Sequence, residues 1–368
     1  MSASAEGVGS RGDAKTNATP LRTAVVGVGY WGPNLVRVLN ELPEAELVSV
    51  CDLRPSVLDP LQRRYPALRT TCRFEDLLED PTVEAIVVAT PVSSHYDLAR
   101  RALAAGKHVF VEKPLAASVS EAIDLIELAR RHELVLMPGH VFLYSPPVVL
   151  IRELIASGEL GDIYFISMSR VNLGLHQSDV SVVWDLAPHD FSILMYWLDE
   201  GPTETLAISR SCVLPDVADV AFVNLVFPTG TVAHVELSWL APSKLRRTTI
   251  VGSKKMVVYD DTSNEPVRVF DSGVMPRDPQ TFGEFQLSYR AGDIISPRVE
   301  VSEPLALELA DFCSSVRHGT PLRSSPELGL EVVRMVEDVD RSLALNGKTV
   351  ALAPLRSELR AGVDFPRS

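Results

Sequence analysis

The chain has 368 residues, long enough for two domains of ordinary size with cores of their own. Apolar residues make up 46% and charged residues 23%, a soluble globular balance, and 35 Lys plus Arg against 48 Asp plus Glu leave a formal net charge of −13. That sign argues against a nucleic-acid binder, which needs a basic face to neutralise phosphates, while leaving room for a locally basic pocket on an acidic protein.

In chain order, residues 1–20 are rich in Ser, Ala, Gly, Thr and Asn and lack the apolar stretch of a signal peptide, so a disordered leader is expected. From Leu21 short apolar runs alternate with segments of helical spacing. The runs are Thr23–Gly27, Glu46–Cys51, Ala85–Thr90, His108–Val111 and Leu134–Pro138. Between them Leu35, Leu39 and Leu42 recur at helical spacing, as do apolar positions in Ser94–Ala105 and Ser118–Arg131. Buried runs alternating with helices predict an α/β domain with a doubly wound parallel sheet over residues 21–142.

The second half reads differently. Asp162–Asn172, Glu204–Val213, Val217–Val226 and Thr231–Trp239 are β-like, and Pro228-Thr229-Gly230 is a turn signal between the last two. Thr248–Asp260, with Gly252-Ser253 inside it, predicts a hairpin, and Val267–Phe270 a further strand. Helices are expected at Ser145–Ser157, Trp184–Leu198, 303–317 and 326–345. The expectation is an α+β domain over 143–350 with a mostly antiparallel open sheet. Its final helices are candidates to pack back on the first domain, and 351–368 form a tail.

Cys51, Cys72, Cys212 and Cys313 are widely spaced and form no CxxC pair, which suits reduced thiols in a cytoplasmic protein. No apolar run is long enough to span a bilayer, so no membrane partner is expected. The histidines outside the motifs below (His108, His132, His140, His234, His318) show no metal-ligand spacing, and no metal is expected.

Gly27, Gly29 and Gly32 form G-x-G-x-x-G around Val28, Tyr30 and Trp31, between an apolar strand and a helix with Pro33 at its start. Such a turn lets the backbone approach a pyrophosphate, which sits on the unpaired N–H groups of the helix N-terminus. Asp52 ends the next run, twenty residues after Gly32, where a carboxylate can accept from both ribose hydroxyls. It would repel a 2′-phosphate, so NAD is the expected cofactor; Arg54 nearby keeps NADP open.

The glycine loop, Ala89-Thr90-Pro91 with His95, the stretch Ala105-Gly106-Lys107-His108-Val109-Phe110-Val111-Glu112-Lys113-Pro114, and Trp184-Asp185-Leu186-Ala187-Pro188-His189-Asp190 resemble the glucose–fructose oxidoreductase / inositol dehydrogenase / MocA family. Within it, Gly29–Asn34 and Ser169–Gly174 look most like sugar and nucleotide-sugar dehydrogenases. The resemblance implies a Rossmann domain plus an open α/β domain whose sheet faces the nicotinamide, and a homo-oligomer, dimer or tetramer. It further implies a bend at Lys113-Pro114 that projects Lys113 over the cofactor, and cofactor-edge contacts from Thr90, Pro91, His95 and Glu112. His95 could equally cap a helix.

Three residues then carry the chemistry. Lys113, at the carboxyl edge of its strand, can stabilise a developing alkoxide. Asp185 and His189 are four apart and share one helix face. His189 suits removal of a hydroxyl proton, and Asp185 can orient the imidazole or bind a neighbouring hydroxyl. Tyr144, Arg170, Asn172 and His176 are candidates for the substrate side, each also able to satisfy local backbone. Arg170 and Arg54 are candidate anion partners. The leading expectation is oxidation of a secondary hydroxyl, or reduction of the ketone, on a sugar, nucleotide-sugar or cyclitol in polysaccharide or secondary-metabolite sugar biosynthesis. Two others stand beside it: a glycoside-cleaving enzyme that oxidises only transiently, and a cofactor-binding protein without chemistry.

Overall fold

The structure is a computed structural model that describes residues 19–174, 176, 180–277 and 286–352. The expected leader and tail therefore lie outside the described residues, apart from 19, 20, 351 and 352.

The first half runs β1 (Leu21–Val26), α1 (Gly32–Glu41), β2 (Ala45–Cys51), α2 (Pro55–Arg64), β3 (Arg69–Thr71), α3 (Glu75–Glu79), β4 (Ala85–Val88), α4 (His95–Ala104), β5 (His108–Glu112), α5 (Val119–Arg131) and β6 (Leu136–Gly139). Six strands form one parallel sheet in the order β3-β2-β1-β4-β5-β6. The order reverses between β1 and β4, which puts the ligand crevice at the carboxyl ends of those strands. Every residue of β4 is buried, because helices cover both faces. The α1 positions Leu35 and Leu39 are fully buried, as their spacing predicts. Ser118 caps α5 by accepting from the Glu121 N–H at 3.2 Å. The segment between Cys51 and Ala85 holds two helices and a strand that the sequence does not announce. Proline stands at 55, 60 and 66, α3 is five residues long, and β3 is the polar triplet Arg69-Thr70-Thr71.

The second half runs α6 (Pro146–Ala156), β7 (Ile163–Leu173), α7 (Val182–Leu198), β8 (Glu204–Arg210), β9 (Val220–Val226), β10 (Val232–Ser238), β11 (Leu240–Gly252), β12 (Met256–Asp260), β13 (Val267–Arg277), β14 (Gln286–Ile295), α8 (Pro304–His318), α9 (Pro326–Ala344) and β15 (Val350–Ala351). Nine strands form a mixed sheet in the order β14-β13-β12-β11-β7-β10-β9-β8-β15. All pairs are antiparallel except β7 with β10. The β9–β10 turn falls at Pro228–Gly230, with Gly230 at φ +88°, and the predicted hairpin is β11–β12. Here β11 starts earlier than its pattern suggests, because its register against β7 shifts between Leu240 and Leu245. The strand predicted at Val267–Phe270 continues to Arg277, and β14 beside it carries no clear alternation.

Alternate residues Ile166, Met168 and Arg170 of β7 turn to one face and are buried. The long α7 packs there against β9 and β10, buried on nearly every side from Val182 to Trp197. Helices α8 and α9 return to the first domain, α8 on α1 and α9 on α5. Arg317 of α8 donates to both carboxylate oxygens of Glu84 at 2.8 and 2.7 Å. The Arg317 hydrogen bond, against burial, holds the Glu84 carboxyl down at about 2. This frame fixes α7 opposite the carboxyl edge of the parallel sheet.

Candidate active site

The glycine loop follows β1. Gly27 has φ +88°, and a Cβ there would lie 2.7 Å from the Ala89 carbonyl oxygen; at Gly32 it would lie 2.2 Å from the Gly27 oxygen. Both glycines are demanded by the protein itself. Gly29 is not: the nearest atom to a Cβ there is Arg54 Nη2 at 3.6 Å, so the space above it is left for a ligand. Trp31 precedes α1 without a side-chain cap, and Pro33 stands in the first turn, leaving that turn's N–H groups without a side-chain acceptor. This cradle fits a dinucleotide pyrophosphate.

Asp52 is buried and bound inward. Its Oδ2 accepts the Val28 N–H at 2.9 Å, and its Oδ1 accepts the Arg54 N–H at 2.9 Å and Nε at 3.1 Å. Burial opposes its charge, but the Arg54 side chain and the two backbone amides outweigh it and hold the carboxyl below its usual range. The carboxylate expected to meet the ribose hydroxyls is thus engaged by the loop and by Arg54 in this structure. Asp52 braces the loop, and exposed Arg54 lies across it, so a ribose reaches the carboxylate only when Arg54 swings away.

The expectation for His95 is corrected. Its Nδ1 contacts the Pro114 carbonyl at 2.9 Å and its Nε2 the Thr90 carbonyl at 2.8 Å. Burial lowers its pKa against the pull of the two carbonyls. It is a clamp between the Thr90-Pro91 turn and the Lys113–Pro114 turn, whose peptide bond is cis. Neither cofactor contact nor helix cap is its role. Thr90 packs its methyl against Gly27, and its hydroxyl accepts from Ser94 at 2.7 Å. Glu112 lies under the loop, where burial pushes its carboxyl up to about 7 against the Lys113 charge and hydrogen bonds from the Lys113 N–H and the Trp31 side chain.

Lys113 leaves the carboxyl end of β5 and crosses to α7. Its Nζ donates to the Asp185 carbonyl at 2.6 Å and to Asp185 Oδ1 at 3.2 Å. Asp185 Oδ2 accepts from Trp239 Nε1 at 3.1 Å. Asp185 therefore fixes the lysine and the indole rather than the His189 ring. One turn on, His189 stands edge-on to Phe142, ring centroids 5.0 Å apart, with Nδ1 buried and unpartnered among the described residues. Burial, reinforced by Lys113, Arg170, Arg246 and His140, pushes its pKa well below 6.5.

The substrate-side candidates separate. Arg170 is buried and paired with Asp190, Nε to Oδ2 and Nη2 to Oδ1 both at 2.8 Å. Its guanidinium lies 4.7 Å from the Phe142 ring centre, with Arg246 at 5.6 Å from the same ring. His176 packs on Trp239 with centroids 5.3 Å apart and lies 3.8 Å from Asp219 Oδ2. Asn172 occupies the same face of β7 as Arg170, at the end where Trp239 approaches Gly174. Tyr144 belongs elsewhere: it is buried, donates to Asp311 Oδ2 at 2.5 Å and accepts the Ser324 N–H at 3.2 Å, tying the segment after β6 to α8. It does not line the substrate side. Phe142, Trp239 and His140 join the site without having been singled out by sequence. His140 alone had a legible signal, since it follows β6 directly.

Comparison with known proteins decides the family. Residues 21–140 match the model of the oxidoreductase family with an NAD-binding Rossmann fold, and residues 148–258 match the GFO/IDH/MocA C-terminal domain. The chain belongs to the Gfo/Idh/MocA oxidoreductase family. Members similar to it include a scyllo-inositol 2-dehydrogenase (NAD(+)) of Bacillus subtilis, 24% identical, covering 95% of this chain and 98% of that one. A UDP-N-acetylglucosamine 3-dehydrogenase of Acidithiobacillus ferrooxidans is 26% identical over 82% of this chain and 90% of its own. Among solved structures, GenD2 from gentamicin A biosynthesis, in complex with NAD, superposes with a TM-score of 0.78 at 25% identity, covering 95% of this chain and 100% of that chain. As a family member this chain is an NAD-binding oxidoreductase.

Proposed function

We propose that this family member oxidises a secondary hydroxyl of a sugar, nucleotide-sugar or cyclitol, or reduces the matching ketone, in sugar biosynthesis. The observation that carries the reading is the Lys113 ammonium clamped on Asp185, with the half-buried His189 one turn further along the same helix and its Nδ1 without a partner among the described residues. NAD, when bound, supplies the carbon that accepts a hydride from the substrate carbinol. His189 takes the hydroxyl proton. Lys113 donates to the same oxygen and stabilises the charge that grows on it. Asp185 holds the lysine at that position from both its carbonyl and its carboxylate. In the reverse direction His189 returns the proton to the ketone oxygen.

NAD is the preferred cofactor in this reading, because the Asp52 carboxylate beneath Arg54 puts a negative charge at the ribose end, where it repels a 2′-phosphate. The names of the inositol and UDP-N-acetylglucosamine dehydrogenases support a cyclic polyol substrate. The reading also includes a homo-oligomer: the sheet face away from α7 exposes Phe165 beside Val232, with Leu173 and Ile208 elsewhere on that face, apolar surface that a second copy would cover. Light scattering that gives the mass of a single chain at micromolar concentration rules the oligomer out.

The chemistry is tested by incubating the protein with NAD and a panel of inositols, UDP-sugars and sugar phosphates, following NADH and product mass together. NADH in step with a ketone product supports the proposal. Release of an aglycone without NADH supports transient oxidation in glycoside cleavage instead.

A further inference from the structure

In the parallel sheet β5 and β6 are neighbours, with Glu112 opposite Gly139. Lys113 and His140 are the residues that follow these strand ends, so both leave the sheet side by side at its carboxyl edge, close enough for the Lys113 charge to act on the ring. The backbone there is fully employed without the ring. The His140 N–H donates to the Pro138 carbonyl at 3.0 Å, and its carbonyl accepts the Leu143 N–H at 3.0 Å.

The ring itself is 1% exposed, and neither Nδ1 nor Nε2 has a partner among the described residues. The buried His95, by contrast, sets each ring nitrogen within 2.9 Å of a carbonyl oxygen, and the half-buried His108 accepts the Val135 N–H on Nδ1 at 3.0 Å. A buried polar atom without a partner is costly to keep, and His140 carries two. Burial and the adjacent Lys113 push its pKa down to about 3, so the ring is neutral and offers one donor and one acceptor. No group among the described residues meets either nitrogen, and the Lys113 charge reaches the ring, so both stand beside the proposed reaction site. A hydroxyl, itself both donor and acceptor, is the chemical complement.

We infer that His140 is a substrate-binding residue that hydrogen-bonds the hydroxyl next to the one being oxidised, so that the site selects rings bearing a vicinal diol. This rests on the dehydrogenase reading above. Lys113 and His189 handle the reacting oxygen. His140, one strand over from Lys113, takes the neighbouring one. Phe142, two residues on, carries the same segment to the His189 ring.

The test compares wild type, His140→Phe and His140→Asn. Steady-state kcat and KM are measured with NAD on myo-inositol, scyllo-inositol and UDP-N-acetylglucosamine. They are then measured on a deoxy analogue of the oxidised compound that lacks the hydroxyl next to the reacting carbon. Wild type is expected to favour the diol by about ten- to hundredfold in kcat/KM, the worth of one or two hydrogen bonds. His140→Phe keeps an aromatic ring but loses the preference, chiefly through KM, while NAD titration shows the cofactor site intact. His140→Asn retains one donor and one acceptor and keeps part of the preference. A Phe variant that discriminates as wild type does overturns the inference and leaves the dehydrogenase reading standing. So does an Asn variant as blind to the neighbouring hydroxyl as the Phe variant. A wild-type protein that oxidises none of the three compounds overturns both.

Discussion

Lys113 and Asp185 meet through two contacts, the ammonium on the carbonyl at 2.6 Å and on the carboxylate at 3.2 Å. One residue belongs to the parallel-sheet domain and the other to the first turn of the helix beneath the mixed sheet. Cofactor-binding and substrate-binding halves are thus tied at the point where the reaction is proposed to occur.

Lys113→Met removes the charge and keeps the chain length. Turnover should fall by about 10²–10⁴, the usual worth of a positioned acid–base or electrostatic group. NAD affinity, read by fluorescence titration, should stay within a few-fold of wild type, because Gly27–Gly32 and Asp52 are untouched. A well-folded variant that has lost NAD binding contradicts the role given to the lysine.

Tyr144→Phe separates structure from catalysis. The hydroxyl joins Asp311 to the Ser324 amide, away from Lys113. Its loss should cost about 1–2 kcal/mol of stability, a few degrees of melting temperature. The ratio kcat/KM should barely move. A large loss of kcat with an unchanged melting curve would return Tyr144 to the substrate side.

Glu308 of α8 is wholly buried, and both carboxyl oxygens lack partners among the described residues. Burial, with Glu112 and Asp311 adding to it, pushes its pKa well above 4.5. A raised carboxyl pKa contributes stability below the unfolded value of 4.5 and loses it as pH rises towards the folded value. Glu112, raised to about 7, acts in the same sense. Glu308→Gln has no proton to retain. Relative to wild type it should melt higher at pH 8 than at pH 4, measured by calorimetry at both. A difference that is flat with pH, or that grows towards acid, contradicts the assignment.

Arg54→Ala addresses cofactor choice. Arg54 now lies on Asp52, and its guanidinium is the group near the ribose end able to meet a 2′-phosphate. Its removal should leave NAD turnover within a few-fold and weaken NADP by about tenfold or more, the worth of one charge-assisted hydrogen bond. KM values for the two cofactors supply the check. An unchanged NADP preference means the arginine serves only to hold Asp52.

The first domain was legible because its strands are buried on both faces and read as apolar runs, and because the glycine loop has a steric cause at Gly27 and Gly32. The segment from Pro55 to Glu79 was not legible, since its helices and strand are short and interrupted by proline. In the site, Lys113, Asp185 and His189 stood out through motifs and helical spacing. Their partnerships did not. Asp185 turns to Lys113 and Trp239 because the mixed sheet brings Trp239, 54 residues away in sequence, under the start of α7. His95 and Asp52 carry residue types suited to ligands but are consumed by local backbone and by Arg54. Tyr144 shows the limit most plainly, because only the fold turns its hydroxyl towards α8. His140 was passed over because histidine spacing was read for metals, whereas its meaning lies in the β5–β6 register.

The most direct test of the account is a single-turnover experiment with the oxidised member of the inositol and UDP-sugar panel carrying deuterium at the reacting carbon. The label should appear in the reduced cofactor, one deuterium per ketone formed, and the Lys113→Met protein should form both about 10²–10⁴ times more slowly. Deuterium recovered in solvent, or label transfer undiminished in that variant, contradicts hydride transfer at Lys113 and His189.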